Sequence, residues 1–336
     1  MVVHGGALRE AMEHNGGEAA EWLDLSTGIS PHCFPLPDLP TATWQRLPDP
    51  GLVEAVAQAA RDFYGGADAP CITPGSQAAI QHLPTLARLI DPKSGHVAVL
   101  APTYGEYEAA FTRAGYAVSA ARDLADAAGS DVVVLANPNN PDGRQVQAEG
   151  LLDFARARTG RLTVIDEAFA DLHPDVSVAR WAGEVPGLVV LRSFGKFFGL
   201  AGVRLGFAFL PAPLAVVLKT ALGPWPVSGP ALEIARHAFS RPDLVAAQRA
   251  CNLEAHALTR CALVQSGQTI VGETKLFFLI AVADGARARA ALAQRHILSR
   301  AFDHSPRWLR LGLVRDEKEA SRLKAGLAGL RVPNGC

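Results

Sequence analysis

Short apolar runs alternate with stretches of helical spacing in this chain, and that alternation constrains its fold more than any other feature. The apolar runs lie at 97–100, 131–136, 162–165 and 188–191. Each has the length and composition of a buried strand, whereas an intervening stretch such as 147–159 shows the spacing of an amphipathic helix. Strands that alternate with helices predict a parallel sheet with helices on both faces. Such sheets bind ligands at the carboxyl ends of their strands.

The chain of 336 residues is too long for one simple core, so we predict a large domain with a smaller one attached. Residues 1–49 are rich in Gly, Pro and polar residues and form a predicted extended arm, outside the core, with part of the small domain. Residues 50–240 form the predicted large domain, and 241–336 a connector helix and a small α+β domain. The strands predicted in this last segment are 275–282, 296–301 and 308–313.

The charge and cysteine content argue against several classes of protein. The 32 basic and 33 acidic residues are interleaved, so no nucleic-acid partner is expected. No apolar run reaches the roughly 18 residues of a spanning helix, and the N-terminus lacks a signal-peptide pattern, so no membrane partner is expected. The five cysteines form no C-x-x-C pair, which predicts a reduced, cytoplasmic protein. No dinucleotide turn and no group with metal-ligand spacing is present, so we predict neither ligand.

Residues 193–206, which follow the last apolar run, have the sequence SFGKFFGLAGVRLG. Lys196 stands here among aromatic residues and glycines, which suits an amine held in a dry cleft better than a solvated charge. A lysine in such a cleft can form a covalent adduct with a carbonyl compound. Ser193 and Arg204 flank it, and a hydroxyl with a planar guanidinium is what a phosphate dianion needs.

Polar side chains also follow two other apolar runs. Asn140 lies in a rigid, amide-rich turn after the run 131–136, and Asp166 directly follows the run 162–165. Because the carboxyl ends of parallel strands share one edge of the sheet, we predict that Asn140, Asp166 and Lys196 line a single crevice. Residues 75–77 open a helix, whose backbone N–H groups and dipole form an anion site.

These motifs resemble those of the fold-type I pyridoxal-phosphate enzymes, the aspartate aminotransferase superfamily. Segment 193–206 resembles the lysine motif, 140–143 (NPDG) the Asn-Pro-Thr-Gly turn, and 166–169 (DEAF) the Asp-Glu-Ala-Tyr motif. The resemblance covers nearly the whole chain. It implies an α/β fold, with a large domain built on a mainly parallel sheet flanked by helices and a small α+β domain. It also implies pyridoxal phosphate as the cofactor and a homodimer as the assembly.

The resemblance implies a role for each candidate residue. Lys196 holds the aldehyde of the cofactor, and Asp166 pairs with its protonated ring nitrogen. Tyr104 stacks on the ring, and Asn140 donates a hydrogen bond to the phenolic oxygen. Arg310 binds the substrate carboxylate. The candidates for the cofactor phosphate are Gly75, Ser76, Gln77, Ser193 and Arg204.

The N-terminal arm narrows the resemblance to a subfamily. Segments 4–6 (HGG) and 25–31 (LSTGISP) resemble the arm of threonine-phosphate decarboxylases. Those enzymes convert L-threonine O-3-phosphate to (R)-1-aminopropan-2-yl phosphate and CO₂ in cobalamin biosynthesis. The candidates for substrate binding in the arm are His4, for the substrate phosphate, and Gly28 and Ser30, which stand where the subfamily has asparagines.

Two further positions depart from the superfamily pattern. Phe169 and Leu47 stand where the superfamily has tyrosines that contact the phenolic oxygen and, from the neighbouring subunit, the phosphate of the cofactor. Two other functions therefore stay open. A histidinol-phosphate-type aminotransferase would use the same cofactor site but require a 2-oxoacid co-substrate. A non-catalytic partner of a cobalamin-pathway synthase would have a degenerate pocket.

Overall fold

The computed structural model describes residues 5–330. Its strands are β1 (Leu23–Asp24), β2 (Cys71–Thr73), β3 (His96–Leu100), β4 (Ala117–Ala121), β5 (Val132–Ala136), β6 (Leu162–Asp166), β7 (Leu188–Ser193), β8 (Gly206–Phe209), β9 (Thr269–Thr274), β10 (Phe277–Ala281), β11 (Ile297–Leu298), β12 (Arg300–Ala301) and β13 (Trp308–Gly312). Its α-helices are α1 (Leu8–Asn15), α2 (Thr41–Gln45), α3 (Pro50–Tyr64), α4 (Ser76–Ile90), α5 (Glu106–Arg113), α6 (Leu124–Ala127), α7 (Ala148–Ala157), α8 (Phe194–Phe197), α9 (Ala212–Leu222), α10 (Gly229–Phe239), α11 (Pro242–Gln265), α12 (Gly285–Ala293) and α13 (Glu317–Gly326). None of the helices within the described range is long and apolar enough to cross a bilayer.

The larger sheet has seven strands in the order β2-β8-β7-β6-β5-β3-β4. Strands β4, β3, β5, β6 and β7 run parallel to one another, and β8 is antiparallel to both of its neighbours. Along β3, Val97 and Val99 pack into one core, and Ala98 and Leu100 into another, because successive side chains of a strand point to opposite faces. Helices α4, α5 and α9 cover one face, and α3, α7 and α10 cover the other. The predicted α/β architecture is confirmed.

The smaller sheet is antiparallel, with the order β12-β13-β10-β9. The long helix α11, which has 24 residues, lies between the two sheets in the chain. The sequence pattern does not predict β9, because this edge strand is partly exposed and carries Thr, Gly and Glu in place of an apolar run. The boundaries predicted for the three segments of the chain stay a prediction.

The N-terminal segment contributes to the core, so the prediction of an arm outside it is wrong. Leu25 is 1% exposed and Phe34 is fully buried in the main core. Strand β1 pairs in parallel with β11, and residues 8–15 form a helix. Low hydrophobic periodicity misled the prediction, because this segment buries single side chains along an irregular path instead of one periodic face.

Candidate active site

A cavity of about 310 Å³ lies at the carboxyl ends of β5, β6 and β7, and Lys196 lines it. Lys196 belongs to α8, which directly follows β7, and its Nζ lies 3.3 Å from Oγ of Ser193. Burial lowers the pKa of Lys196, and the Asp166 carboxylate acts in the opposite direction. The nearby guanidinium groups of Arg204 and Arg310 lower this pKa further. A lowered pKa leaves more unprotonated amine at neutral pH, which is the form that attacks a carbonyl carbon.

Asp166 ends β6 and lines the same cavity while being only 4% exposed. Its Oδ1 accepts the backbone N–H of Ala168 at 3.0 Å, and its Oδ2 accepts the hydroxyl of Tyr107 at 2.8 Å. Burial raises the pKa of Asp166, whereas Lys196 and the Tyr107 hydrogen bond lower it. A buried carboxylate needs donors or a cation to offset the cost of burial. This arrangement suits the protonated nitrogen of a heterocycle.

We call Gly75, Ser76, Gln77, Ser193 and Arg204 the anion corner, because all five line the cavity and are the candidates for binding a phosphate. Gly75 has a φ of +76° and precedes α4, whose N-terminus no side chain caps. The helix therefore offers backbone N–H groups and the positive end of its dipole. A Cβ at Gly75 would lie 2.8 Å from Nη2 of Arg204 and would displace the guanidinium, and the positive φ favours glycine at this position as well. Backbone donors, a hydroxyl and a guanidinium together suit a phosphate.

The side chain of Gln77 holds a tyrosine in place. Its Oε1 accepts the hydroxyl of Tyr104 at 3.0 Å, and its Nε2 donates to the Glu106 carboxylate at 2.7 Å. Tyr104 lines the cavity, and its ring meets that of Tyr107 edge to face at 5.6 Å. The contribution of Gln77 to the anion corner is therefore its backbone N–H.

Arg310 is a buried cation on β13 that faces the cavity from the smaller sheet. Its Nη1 donates to Oδ1 of Asn140 at 2.5 Å, and its Nη2 donates to the carbonyl of Ser26 at 2.8 Å. Its Nε has no hydrogen-bond partner, and none of the carboxylates in residues 5–330 pairs with it. Burial and then Arg300 lower its pKa to about 10. A buried guanidinium in this state suits a carboxylate supplied by a ligand.

Gly28 and Phe169, both departures from the patterns of related sequences, are in contact. Each lines the cavity, and a Cβ on Gly28 would lie 2.7 Å from Cε1 of Phe169 and 3.0 Å from Cδ1 of Phe277. The Phe169 ring in turn lies 5.3 Å from Nζ of Lys196. Position 28 therefore has no space for the asparagine of the subfamily pattern.

Replacement of Gly28 by alanine should lower the free energy of unfolding by about 1–3 kcal/mol, because the added methyl group overpacks the contact with both rings. Urea unfolding followed by circular dichroism measures this. Gly202→Ala is the matched control, since that glycine is exposed and a Cβ there meets nothing within 4 Å. An equal decrease in the free energy of unfolding of both variants would contradict the conclusion that position 28 has no space for a side chain.

Ser30 does not line the cavity, and its predicted role in substrate binding needs correction. Its hydroxyl donates to the carbonyl of His32 at 3.0 Å and accepts Nε2 of Gln248 at 3.1 Å. Its backbone N–H donates to the carbonyl of Lys196 at 2.9 Å. The side chain is thus occupied inside the protein by His32 and Gln248, and the backbone N–H fastens the arm to α8 at Lys196. His4, the other candidate in the arm, lies outside the described residues.

A second cavity, of about 610 Å³, adjoins the first, and Gly5, Tyr104, Asn140 and Arg310 line both. Its wall also contains three basic side chains that the sequence analysis missed. They are Arg289, Arg300 and His304. Tyr107 was not predicted either. It stands three residues after Tyr104, and this spacing at the start of a predicted helix indicates two side chains on the same face. The sequence around Arg300 does not indicate that it lies near the cavity, because its position beside Arg310 depends on how β12 pairs with β13.

Residues 36–325 match the family model described as aminotransferase class I and II. The chain is 43% identical over 336 residues to a threonine-phosphate decarboxylase of Sinorhizobium sp., with 98% of this chain and 99% of the relative covered. It is 42% identical over 343 residues to the threonine-phosphate decarboxylase of Pseudomonas aeruginosa, with 99% of each chain covered. A solved histidinol-phosphate aminotransferase of Sinorhizobium meliloti, in complex with pyridoxal-5'-phosphate, has a TM-score of 0.82 at 20% identity, covering 98% of this chain and 95% of that chain. At that identity the likeness shows the fold alone.

Proposed function

Because the chain belongs to the aminotransferase class I and II family, we propose that it is a pyridoxal-phosphate-dependent decarboxylase acting on L-threonine O-3-phosphate. The products are CO₂ and (R)-1-aminopropan-2-yl phosphate, the aminopropanol precursor of cobalamin biosynthesis. The observation that carries this proposal is the identity of 43% and 42% with two threonine-phosphate decarboxylases over nearly the full chain. The predicted cytoplasmic location stays a prediction.

The residues of the cavity fit pyridoxal phosphate. Lys196 would hold its aldehyde, Asp166 its ring nitrogen, and the anion corner its phosphate. The close approach of Arg204 to Gly75 at the uncapped N-terminus of α4 supports the phosphate placement, and the burial of Asp166 supports the pairing with a ring cation. Tyr104 would stack on the ring, and Asn140 would donate its amide to the phenolic oxygen while Arg310 occupies its Oδ1.

The reaction breaks the bond between Cα and the carboxylate of the substrate and forms a C–H bond in its place. When bound, pyridoxal phosphate accepts the electron pair that stays on Cα as CO₂ leaves. Arg310 binds the carboxylate and so orients the bond that breaks. In its protonated form Lys196 would deliver a proton to Cα, and its lowered pKa makes that form the stronger acid.

The substrate phosphate would enter the larger cavity beside the first. Arg300 and His304 line that cavity together with Arg310, so the phosphate and the carboxylate of one small molecule can be bound at the same time. The dianionic phosphate suits the guanidinium of Arg300. The binding of the substrate phosphate by His4 also stays a prediction.

Arg300→Ala should raise KM for L-threonine O-3-phosphate by about 10- to 100-fold, because a hydrogen bond between charged groups is lost. Steady-state assays of CO₂ release measure this. Arg287→Ala is the control, since Arg287 lies on α12 with its side chain 90% exposed. An unchanged KM in Arg300→Ala would place the phosphate elsewhere.

The decisive experiment incubates the pure protein and pyridoxal phosphate with L-threonine O-3-phosphate and no 2-oxoacid. Stoichiometric CO₂ and aminopropanol phosphate support the decarboxylase. Amino transfer from histidinol phosphate to 2-oxoglutarate, without CO₂ release in the first assay, would replace it by the aminotransferase. Absence of the visible absorption of protein-bound pyridoxal phosphate would favour the non-catalytic partner.

A homodimer is part of the proposal. Large apolar side chains are exposed on the single chain, and they include Trp44 at 67%, Leu47 at 65% and Trp225 at 55%. Exposed apolar surface of this kind supports a partner subunit that covers it. Leu47, in the position of the superfamily tyrosine that contacts the neighbouring phosphate, would lie at that interface as an apolar contact.

A further inference from the structure

Tyr107 is fixed beneath the cofactor cavity by its own burial. It lies on α5, is 1% exposed and lines the cavity. Its hydroxyl donates to Oδ2 of Asp166 at 2.8 Å, while the Ala168 N–H donates to Oδ1. Each oxygen of the carboxylate therefore has one donor from the protein, and rotation of the carboxylate would break both hydrogen bonds.

The hydroxyl of Tyr107 stays protonated, and so remains a donor, well into the alkaline pH range. Burial raises the pKa of Tyr107 well above 10, and the adjacent Asp166 raises it further. In return, this hydrogen bond lowers the pKa of Asp166, which burial raises. A hydroxyl that donates a hydrogen bond to the carboxylate favours its charged form.

We propose that Tyr107 is a positioning residue that acts through Asp166, orienting its carboxylate toward the ring nitrogen of pyridoxal phosphate and favouring the ion pair between them. This inference rests on the proposed place of Asp166 in the cofactor site. Tyr107 itself touches neither substrate nor reacting atoms in this role. Its effect is confined to how strongly Asp166 holds a ring that carries a proton on nitrogen.

The chain contains a matched control for this tyrosine. Tyr116 is also buried, at 5% exposure, and its hydroxyl donates to the carbonyl of Pro84 at 3.1 Å. It packs against Phe111 and is not among the residues that line the cavity. Tyr116→Phe therefore removes a buried hydroxyl and its hydrogen bond without touching Asp166.

The experiment measures equilibrium binding of two compounds to the apoprotein, by fluorescence, without substrate. The compounds are pyridoxal phosphate and its 1-deaza analogue, in which a C–H group replaces the ring nitrogen. In Tyr107→Phe we expect Kd for pyridoxal phosphate to rise about tenfold, because a hydrogen bond to a charged group is lost, and Kd for the analogue to stay within about twofold. Tyr116→Phe should change neither. As the pH is lowered, the affinity for pyridoxal phosphate should begin to fall at a higher pH in Tyr107→Phe than in the wild type. The reason is that Asp166 without its hydrogen-bond donor is protonated at a higher pH.

Equal weakening for both compounds in Tyr107→Phe, or weakening for neither, would overturn the proposal. Should Tyr107→Phe fail to fold, Tyr107→His serves instead, since an imidazole N–H can donate to Asp166. That variant should still discriminate the two compounds, and equal affinities would count against the role. If the protein does not act on L-threonine O-3-phosphate, these binding results are unaffected, because they are measured without substrate. A wild-type protein that binds no pyridoxal phosphate would overturn the cofactor site and this inference with it.

Discussion

Replacement of Lys196 by alanine should reduce CO₂ release from L-threonine O-3-phosphate by on the order of 10⁴-fold or more, because in the proposed mechanism one amine both holds the cofactor aldehyde and returns the proton to Cα. The measurement is the rate of CO₂ release by the holoprotein. Added methylamine should restore part of the activity, since the space left by the side chain lies inside the cavity. The visible absorption of the bound cofactor should also change, independently of turnover.

Lys318→Ala is the control for this variant, because Lys318 is exposed on α13, away from the cavity. It should retain wild-type activity and absorption. If Lys196→Ala kept more than a few per cent of the wild-type rate, the assignment of the lysine would be wrong.

Arg310→Lys should lower kcat/KM for L-threonine O-3-phosphate by about 100- to 1000-fold. An ammonium cannot reach the Asn140 oxygen, the Ser26 carbonyl and a substrate carboxylate with the fork geometry of a guanidinium. The loss should appear in kcat as well as in KM, because the carboxylate that Arg310 is proposed to orient is the group that leaves. Steady-state kinetics over a range of substrate concentrations separates the two.

Arg307→Lys is the matched control, three residues earlier and exposed, and should behave as wild type. The product (R)-1-aminopropan-2-yl phosphate offers a second test, since it has no carboxylate. Its affinity as an inhibitor should change far less in Arg310→Lys than that of the substrate. A parallel loss of affinity for both molecules would remove Arg310 from the carboxylate site.

The convergence of Asn140, Asp166 and Lys196 at one cavity was predictable from the sequence, because apolar runs mark parallel strands and parallel strands end at one edge. The anion corner was predictable for a related reason: a glycine before a helix and a nearby arginine follow local rules. Their roles toward the cofactor stay predictions until the variants are measured.

The arm, β9 and the larger cavity could not be predicted in the same way. Burial of Phe34 against Phe198, at 5.1 Å between ring centroids, depends on residues far apart in the chain. The hydroxyl of Ser30 resembles that of a ligand-binding serine until Gln248, 218 positions away, is seen to occupy it. Arg300 likewise becomes informative only when the pairing of β12 and β13 brings it near Arg310. Each of these features depends on contacts that produce no periodic pattern in the local sequence.

A short segment of the arm, residues 26–30, connects the two halves of the cavity through backbone hydrogen bonds at both of its ends. The Ser26 carbonyl accepts a hydrogen bond from Arg310 of the smaller sheet, and the Ser30 N–H donates to the backbone carbonyl of Lys196 on α8, directly after β7 of the larger sheet. Four residues of fully extended chain span at most about 14 Å. Any rotation that separates the sheets can therefore carry the arginine only a limited distance from the lysine before one of the two hydrogen bonds must break. The distance between Arg310, proposed to bind the carboxylate, and Lys196, proposed to serve Cα, is thus limited by chain length as well as by the packing of side chains.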